Sequence, residues 1–336
     1  MEGNEPFVGL RPYATNERHR FHGRGREVAE LMTLWRGGQL SILHGVTGAG
    51  KTSLLNVVAG LMRADADIVL PVGRLRLGST FPSAVLPTHN AYSLAVMSSM
   101  ATGEAPTRLV GTPLAEFVHR LAGPASRSNG GTRPTFVAID QVETLFQDGA
   151  DSDQRNQFLT ELDELMRVHP HVQVLLCVRD RAAPNLIKIV TGHEGRAFGL
   201  RPLTPEAAAE VLTKSLDATG TTFAPGVAEI LVDRLRTTGI DTAGSAQKRL
   251  SDLIAPTLVQ VVLSAVWRTL AGTAAVITRR HVPSGLVEQA LTAYLDDSID
   301  DAATELGLPS DEVSAWLLRT LVDPDGRPGS VAWRSM

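Results

Sequence analysis

The run Gly45-Val46-Thr47-Gly48-Ala49-Gly50-Lys51-Thr52 satisfies G-x-x-x-x-G-K-[ST], and it narrows the possible folds more than any other feature of the chain. An apolar stretch at residues 40–43 precedes it and a helical pattern starts near Lys51, so the local unit must be strand, loop, helix. Such a loop cradles phosphate. Gly45, Thr47, Gly48, Ala49 and Gly50 let backbone N–H groups converge, and the helix start, continued by Ser53, adds partial positive charge. Lys51 reaches the terminal phosphates and the Thr52 hydroxyl can ligate Mg²⁺. Only four lysines occur among 336 residues, so the match is no by-product of a lysine-rich composition. A nucleoside triphosphate is the expected ligand.

Further strands are expected at residues 68–72, 135–140, 172–178 and 197–200, all continuous apolar runs. Such runs suit strands covered on both faces, as in a parallel sheet between helices. Helical spacing of Val28, Leu31, Leu34 and Trp35, and of Phe158, Leu159, Leu162, Leu165 and Met166, supplies those covers. The expected fold is therefore α/β, a wound parallel sheet over residues 28–202. Residues 73–133 read as an elaborated crossover with helices near 92–100 and 113–121 and a mobile loop at 125–133. From Pro202 the pattern becomes helical, with helices from Pro205 and near 226–235, 246–254, 257–270 and 286–299, and at most one strand, at 275–277. Residues 203–299 thus form a separate helical domain. A last segment, 300–336, holds a helix capped by Ser310, Asp311 and Glu312 with Val313, Trp316, Leu317 and Leu321 on its apolar face, then a turn at 324–326.

Charge and composition exclude several classes. With net charge −4 the surface as a whole does not attract nucleic acid or anionic lipid. Arg18, Arg20, Arg24 and Arg26 alternate with Glu17 and Glu27, as a solvated face does. Cys177, the single cysteine, sits inside an apolar run and is expected to be buried, so no disulfide framework exists. The first residues lack a signal peptide pattern, and residues 253–267 are broken by Pro256 and Gln260, which points to a cytoplasmic protein. The nine histidines have no metal-ligand spacing, and no G-x-S-x-G occurs.

A second constellation lies at the end of the strand at 135–140. Asp140 stands where a phosphate-loop fold brings Mg²⁺, either as direct ligand or as partner of Thr52. Hydrolysis also needs a group to activate water; Glu143 is the first choice and Gln141 can position water in its place. Alternatively, Asp140 and Glu143 cap the helix that follows. Arg179, at the end of the next strand, can read the γ-phosphate, or it can pair with Asp180 or a surface carboxylate.

In their order along the chain, these segments resemble the STAND class of signal-transducing ATPases, most closely its bacterial novel STAND (nSTAND) branch, with a likeness to NACHT proteins. Pro6-Phe-Val-Gly-Leu-Arg-Pro12 followed by Phe21-His-Gly-Arg24-Gly-Arg-Glu27 looks like that branch's N-terminal signature. The resemblance implies that residues 1–27 strap over the nucleotide, with Phe21 and Arg24 near adenine. It implies that Pro256 of the helical lid packs on the base, although Ile254 replaces the glycine found two residues earlier in relatives. Residues 317–326 look like the start of a winged helix. By the same resemblance the ligands are ATP and ADP with Mg²⁺. Slow hydrolysis would reset a switch that controls homo-oligomerisation and signalling, in defence or regulation, through an effector or sensor protein or fused domain. An AAA+-like motor or loader, a small-molecule phosphotransferase, and a hydrolytically dead binding module remain the rival readings, the last because Gln141 stands where many ATPases carry glutamate.

Overall fold

The computed structural model describes residues 6–75, 89–123, 127–128, 131–147, 149–190, 196–236, 251–270 and 276–321. After the N-terminal segment, α1 (Gly25–Arg36) leads into β1 (Leu40–Gly45), the phosphate-loop motif and α2 (Lys51–Ala64). Then come β2 (Ile68–Val69), β3 (Gly73–Arg74), α3 (Ala91–Met100), α4 (Leu114–Ala122) and a small hairpin of β4 (Arg127–Ser128) and β5 (Gly131–Thr132). The core closes with β6 (Thr135–Asp140), α5 (Ser152–Val168), β7 (Val172–Arg179), α6 (Ala183–Val190) and β8 (Arg196–Leu200).

The sheet runs β2-β6-β7-β1-β8, with β3 also beside β6, and every pairing is parallel. This is the expected α/β architecture. Alternate side chains of each strand feed two cores. Leu40, Ile42, Val137, Ile139, Val174 and Leu176 face α3 to α6, while Leu43, Phe136, Ala138, Leu175 and Cys177 face α1 and α2. Each fully buried leucine or isoleucine there contributes about 1.5–3 kcal/mol, which explains why the strand runs are continuously apolar. Helix starts are fixed by side chains: Asn90 accepts from the Tyr92 and Ser93 amides, and Asp151 from those of Asp153 and Gln154. The expected strand at 68–72 pairs at Ile68–Val69, with the Leu70 amide donating to the Phe136 carbonyl at 3.0 Å, before the chain re-pairs at β3.

The C-terminal half contains α7 (Pro205–Lys214), β9 (Thr222–Phe223), α8 (Val227–Arg236), α9 (Pro256–Thr269), β10 (Val276–Ile277), α10 (Leu286–Leu306) and α11 (Ser310–Leu321). Its core packs Leu212, Leu231, Val259, Val262 and Leu263 with Phe7 from the N-terminal segment. It is not purely helical: β9 and β10 pair in parallel. The expected helix at 246–254 is corrected at its end. Residues 246–250 lie outside the described residues, while 251–254 are not helical and Ile254 exchanges two 2.8 Å backbone hydrogen bonds with Leu203. Ala255, held extended by the proline that opens α9, prevents a helix from running through. The divide expected after residue 299 falls inside α10, and only Val313 of the α11 apolar face is buried, with Trp316 and Leu321 exposed. The turn at 324–326 and the winged-helix start lie partly or wholly outside the described residues.

Candidate functional site

The parallel register sets the site. Gly45 is level with Arg179 on one side and Leu200 on the other, so β1, β7 and β8 end together, and β6 ends nearby at Asp140. Gly45 has no alternative: a Cβ there would lie 2.5 Å from the Leu200 carbonyl oxygen. Gly48 and Gly50 take φ of +79° and +93°, the left-handed region that lets successive N–H groups converge.

Lys51 Nζ donates to the Gly45 carbonyl at 2.8 Å and that of Val46 at 3.0 Å, folded over its own loop. Thr52 Oγ1 donates to Asp140 Oδ2 at 2.7 Å, and Asp140 Oδ1 accepts from the Gln141 amide at 2.8 Å. Asp140 is 3% exposed, and these two donors satisfy its buried oxygens. Beneath it, burial and then the Asp140 charge push the Cys177 thiol well above its usual range, so it is an inert core group.

Gln141 adopts φ +63°, a conformation rare for a side-chain-bearing residue, and its Oε1 is buried without a partner. This left-handed residue starts the 3-10 turn Val142–Phe146. The turn sends Glu143 back toward β7, where its Oε1 lies 2.8 Å from Arg179 Nε. Asp180 is engaged elsewhere, 2.7 Å from His44 Nδ1. Arg179 therefore meets neither Asp180 nor a surface carboxylate but the partly buried Glu143, 13% exposed, a pairing the sequence did not offer.

The N-terminal segment closes the other end of the cleft. Arg24 is 5% exposed, which overturns its reading as part of a solvated face. Its guanidinium pairs with Glu27 at 2.7 Å and donates to the carbonyls of Arg201 at 2.8 Å and Ala49 at 3.3 Å, tying the phosphate loop to the exit of β8. Phe21 packs edge-on against Tyr13 at 5.3 Å. Two residues absent from the sequence-based site, Tyr13 and Gln260, organise this end. Gln260 of α9 accepts from the Val8 amide at 3.0 Å and donates to the Tyr13 hydroxyl at 3.1 Å. Tyr13 in turn gives its amide to Ser53 and accepts from Asn56 at its carbonyl. The available signal was a lone amide between Val259 and Val261 on an apolar helix. Burial raises the Tyr13 hydroxyl above its ordinary range and lowers His22.

These pieces surround one cleft of about 240 Å³. Lys51, Thr52, Asp140, Glu143 and Arg179 line it together with Phe21, Leu203 and Pro256, and Val8 to Tyr13 also contribute to the wall. A Cβ added at Gly48 would lie 3.3 Å from the Thr257 hydroxyl, so the start of α9 comes close to the phosphate loop. Among the described residues no group of three or more His, Cys, Asp or Glu is set to hold a metal. The neighbouring hydroxyl and carboxylate oxygens of Thr52 and Asp140 are hard donors of the kind Mg²⁺ takes alongside substrate phosphates.

A family model described as novel STAND NTPase 1 matches residues 6–334. The chain belongs to this family. It is a P-loop NTPase, and nucleotide binding follows from that membership. No curated protein matches the sequence. Among solved structures, the chain is similar to a Walker-type ATPase of Pyrococcus abyssi at 14% identity and TM-score 0.54, covering 92% of this chain and 80% of the other. Domain III of the Thermotoga maritima replication initiation protein DnaA matches at 14% identity and TM-score 0.48, over 85% and 98% of the two chains. The ORC2 protein of Aeropyrum pernix, solved in ADPNP and ADP complexes, matches at 14% identity and TM-score 0.49, over 98% and 85%. No helix among the described residues is long and apolar enough to cross a membrane.

Proposed function

We propose that this NTPase is a cytoplasmic ATP/ADP switch whose lid responds to the terminal phosphate and whose slow hydrolysis resets it. The shared cleft supports this reading: phosphate loop, Arg179, N-terminal segment and the start of α9 all line one space. A ligand with differential contacts to open and closed lids shifts their populations.

In this reading the loop amides and Lys51 hold the phosphates. Thr52 and Asp140 would hold Mg²⁺, which when bound offsets phosphate charge. Glu143 accepts the proton as water oxygen bonds to the γ-phosphorus and the bond to the bridging oxygen breaks, releasing ADP and phosphate. Gln141 lines the same cleft and would position that water. Arg179 bears on the γ-phosphate. Phe21 and Pro256 flank the base. ATP-driven lid opening then exposes surfaces for self-assembly and for engaging an effector or sensor, in signalling that serves defence or regulation.

Calorimetric titration with ATP and ADP, followed by light scattering of the nucleotide-loaded protein, tests this. Tight ADP binding by a monomer and assembly on ATP is the expected result. Fast continuous turnover with no change in mass on ATP would overturn the switch, and no saturable heat with either nucleotide would overturn the assignment of the cleft.

A further inference from the structure

Glu143 is 13% exposed, and Arg179 Nε is 2.8 Å from its carboxylate. The group placed to activate water is thus already engaged with the cation placed to read the γ-phosphate. A carboxylate oxygen bonded to a guanidinium has that lone pair occupied and is turned away from a water it would otherwise meet. We propose that the Glu143–Arg179 ion pair is a resting lock that the γ-phosphate of a bound triphosphate opens by taking the guanidinium for itself, so that the base is armed only by the substrate it acts on. This rests on the cleft being the nucleotide site.

The surroundings confine the exchange to one side chain. The Arg179 backbone is held by its pairing with Gly45, and the Asp180 amide donates to the Gly45 carbonyl at 3.2 Å. The Asp180 carboxylate is occupied by His44, whose ring packs against Gly199, where an added Cβ would lie 3.0 Å from ring carbon Cε1. Asp180 therefore does not compete for the guanidinium. Arg179 itself is 54% exposed, which leaves its side chain room to turn. Glu143, fixed by the turn that Gln141 starts, stays behind. A diphosphate lacks the competing group, so with ADP the pair persists and the base stays blocked.

The test is a double-mutant cycle in the full chain, with wild type, Glu143→Gln, Arg179→Ala and the double variant titrated with Mg²⁺–AMPPNP and Mg²⁺–ADP. Glu143→Gln removes the competitor, and AMPPNP binding should tighten about fivefold while ADP changes less than about twofold. In the Arg179→Ala background that selective gain should vanish. An equal effect on both nucleotides, or the same gain without Arg179, would overturn the lock. Wild type that binds neither nucleotide would instead overturn the assignment of the cleft. ADP affinity retained in all four proteins verifies that they are folded.

Discussion

The two ends of the cleft are built in opposite ways. The phosphate end comes from strand termini of one sheet and from a loop of contiguous residues, with Lys51, Thr52 and Asp140 bonded to groups of the same core. The far end is assembled from parts remote in the chain: Val8 and Gln260 are 252 positions apart, Arg24 and Arg201 177 apart. The first kind of site is stiff, because each group is held by the sheet that also buries the core. The second depends on three bodies staying together. In the proposed switch, a cleft held by one sheet at one end and by separate segments at the other would pass phosphate occupancy to the C-terminal helices.

Substitutions can break either end separately. The largest effect is expected from Lys51→Ala, which should weaken triphosphate binding about 100-fold by removing a charged donor, with the circular dichroism spectrum unchanged because Lys51 bonds only loop carbonyls. Unfolding of that variant would place Lys51 in the structural core instead. Gln260→Leu strands the Val8 amide and the Tyr13 hydroxyl, at roughly 1–3 kcal/mol, and should lower affinity for ATP more than for inorganic pyrophosphate, which touches the stiff end alone. Equal losses for the two ligands would mean that the ends are not separable.

Gly60→Ala sharpens the picture of the joint. An added Cβ would lie 2.5 Å from the Thr15 carbonyl oxygen, so α2 and the N-terminal segment must part. Overpacking costs about 1–3 kcal/mol and exceeds the 0.5–1 kcal/mol or so that alanine gains over glycine within a helix, so the melting temperature should fall. A rise would show that this segment yields freely.

The smallest effect concerns acid. Glu17 accepts from Arg11 and the Ala14 amide, and chiefly through Arg11 its carboxyl is pulled from 4.5 down to about 2. A lowered folded-state value means stability that is present above pH 4.5 and is lost as pH falls toward 2. Glu17→Gln should remove that part of the acid sensitivity while costing less than about 1 kcal/mol at neutral pH, as judged by urea unfolding across pH. An unchanged acid transition would leave Glu17 without a role in pinning the segment.

Much of the core was legible because its signals are local. The strand at Thr135–Asp140 and the helix start at Lys51 stand where the residues put them, since apolar runs and the loop motif act on neighbours in the chain. Other features escaped because non-local partners decide them. Nothing local separates Thr222–Phe223 from a loop; it is a strand because Val276–Ile277 lies beside it. The segment before Pro256 carries a helical pattern, yet Ile254 pairs with Leu203 instead. Arg24 looks solvated among glutamates, and burial against two backbone carbonyls reverses that reading.

By itself the sequence determined the phosphate cradle, the parallel α/β core and the residues gathered at its strand ends, because glycine freedom, hydrophobic periodicity and strand termini are properties of short segments. Tertiary structure alone decided that Glu143 meets Arg179 while Asp180 turns to His44, and that Tyr13 and Gln260 join the N-terminal segment to α9. The reason is physical: a side chain's partner is set by which charges and donors reach it across the fold, and spacing along the chain carries no record of that distance.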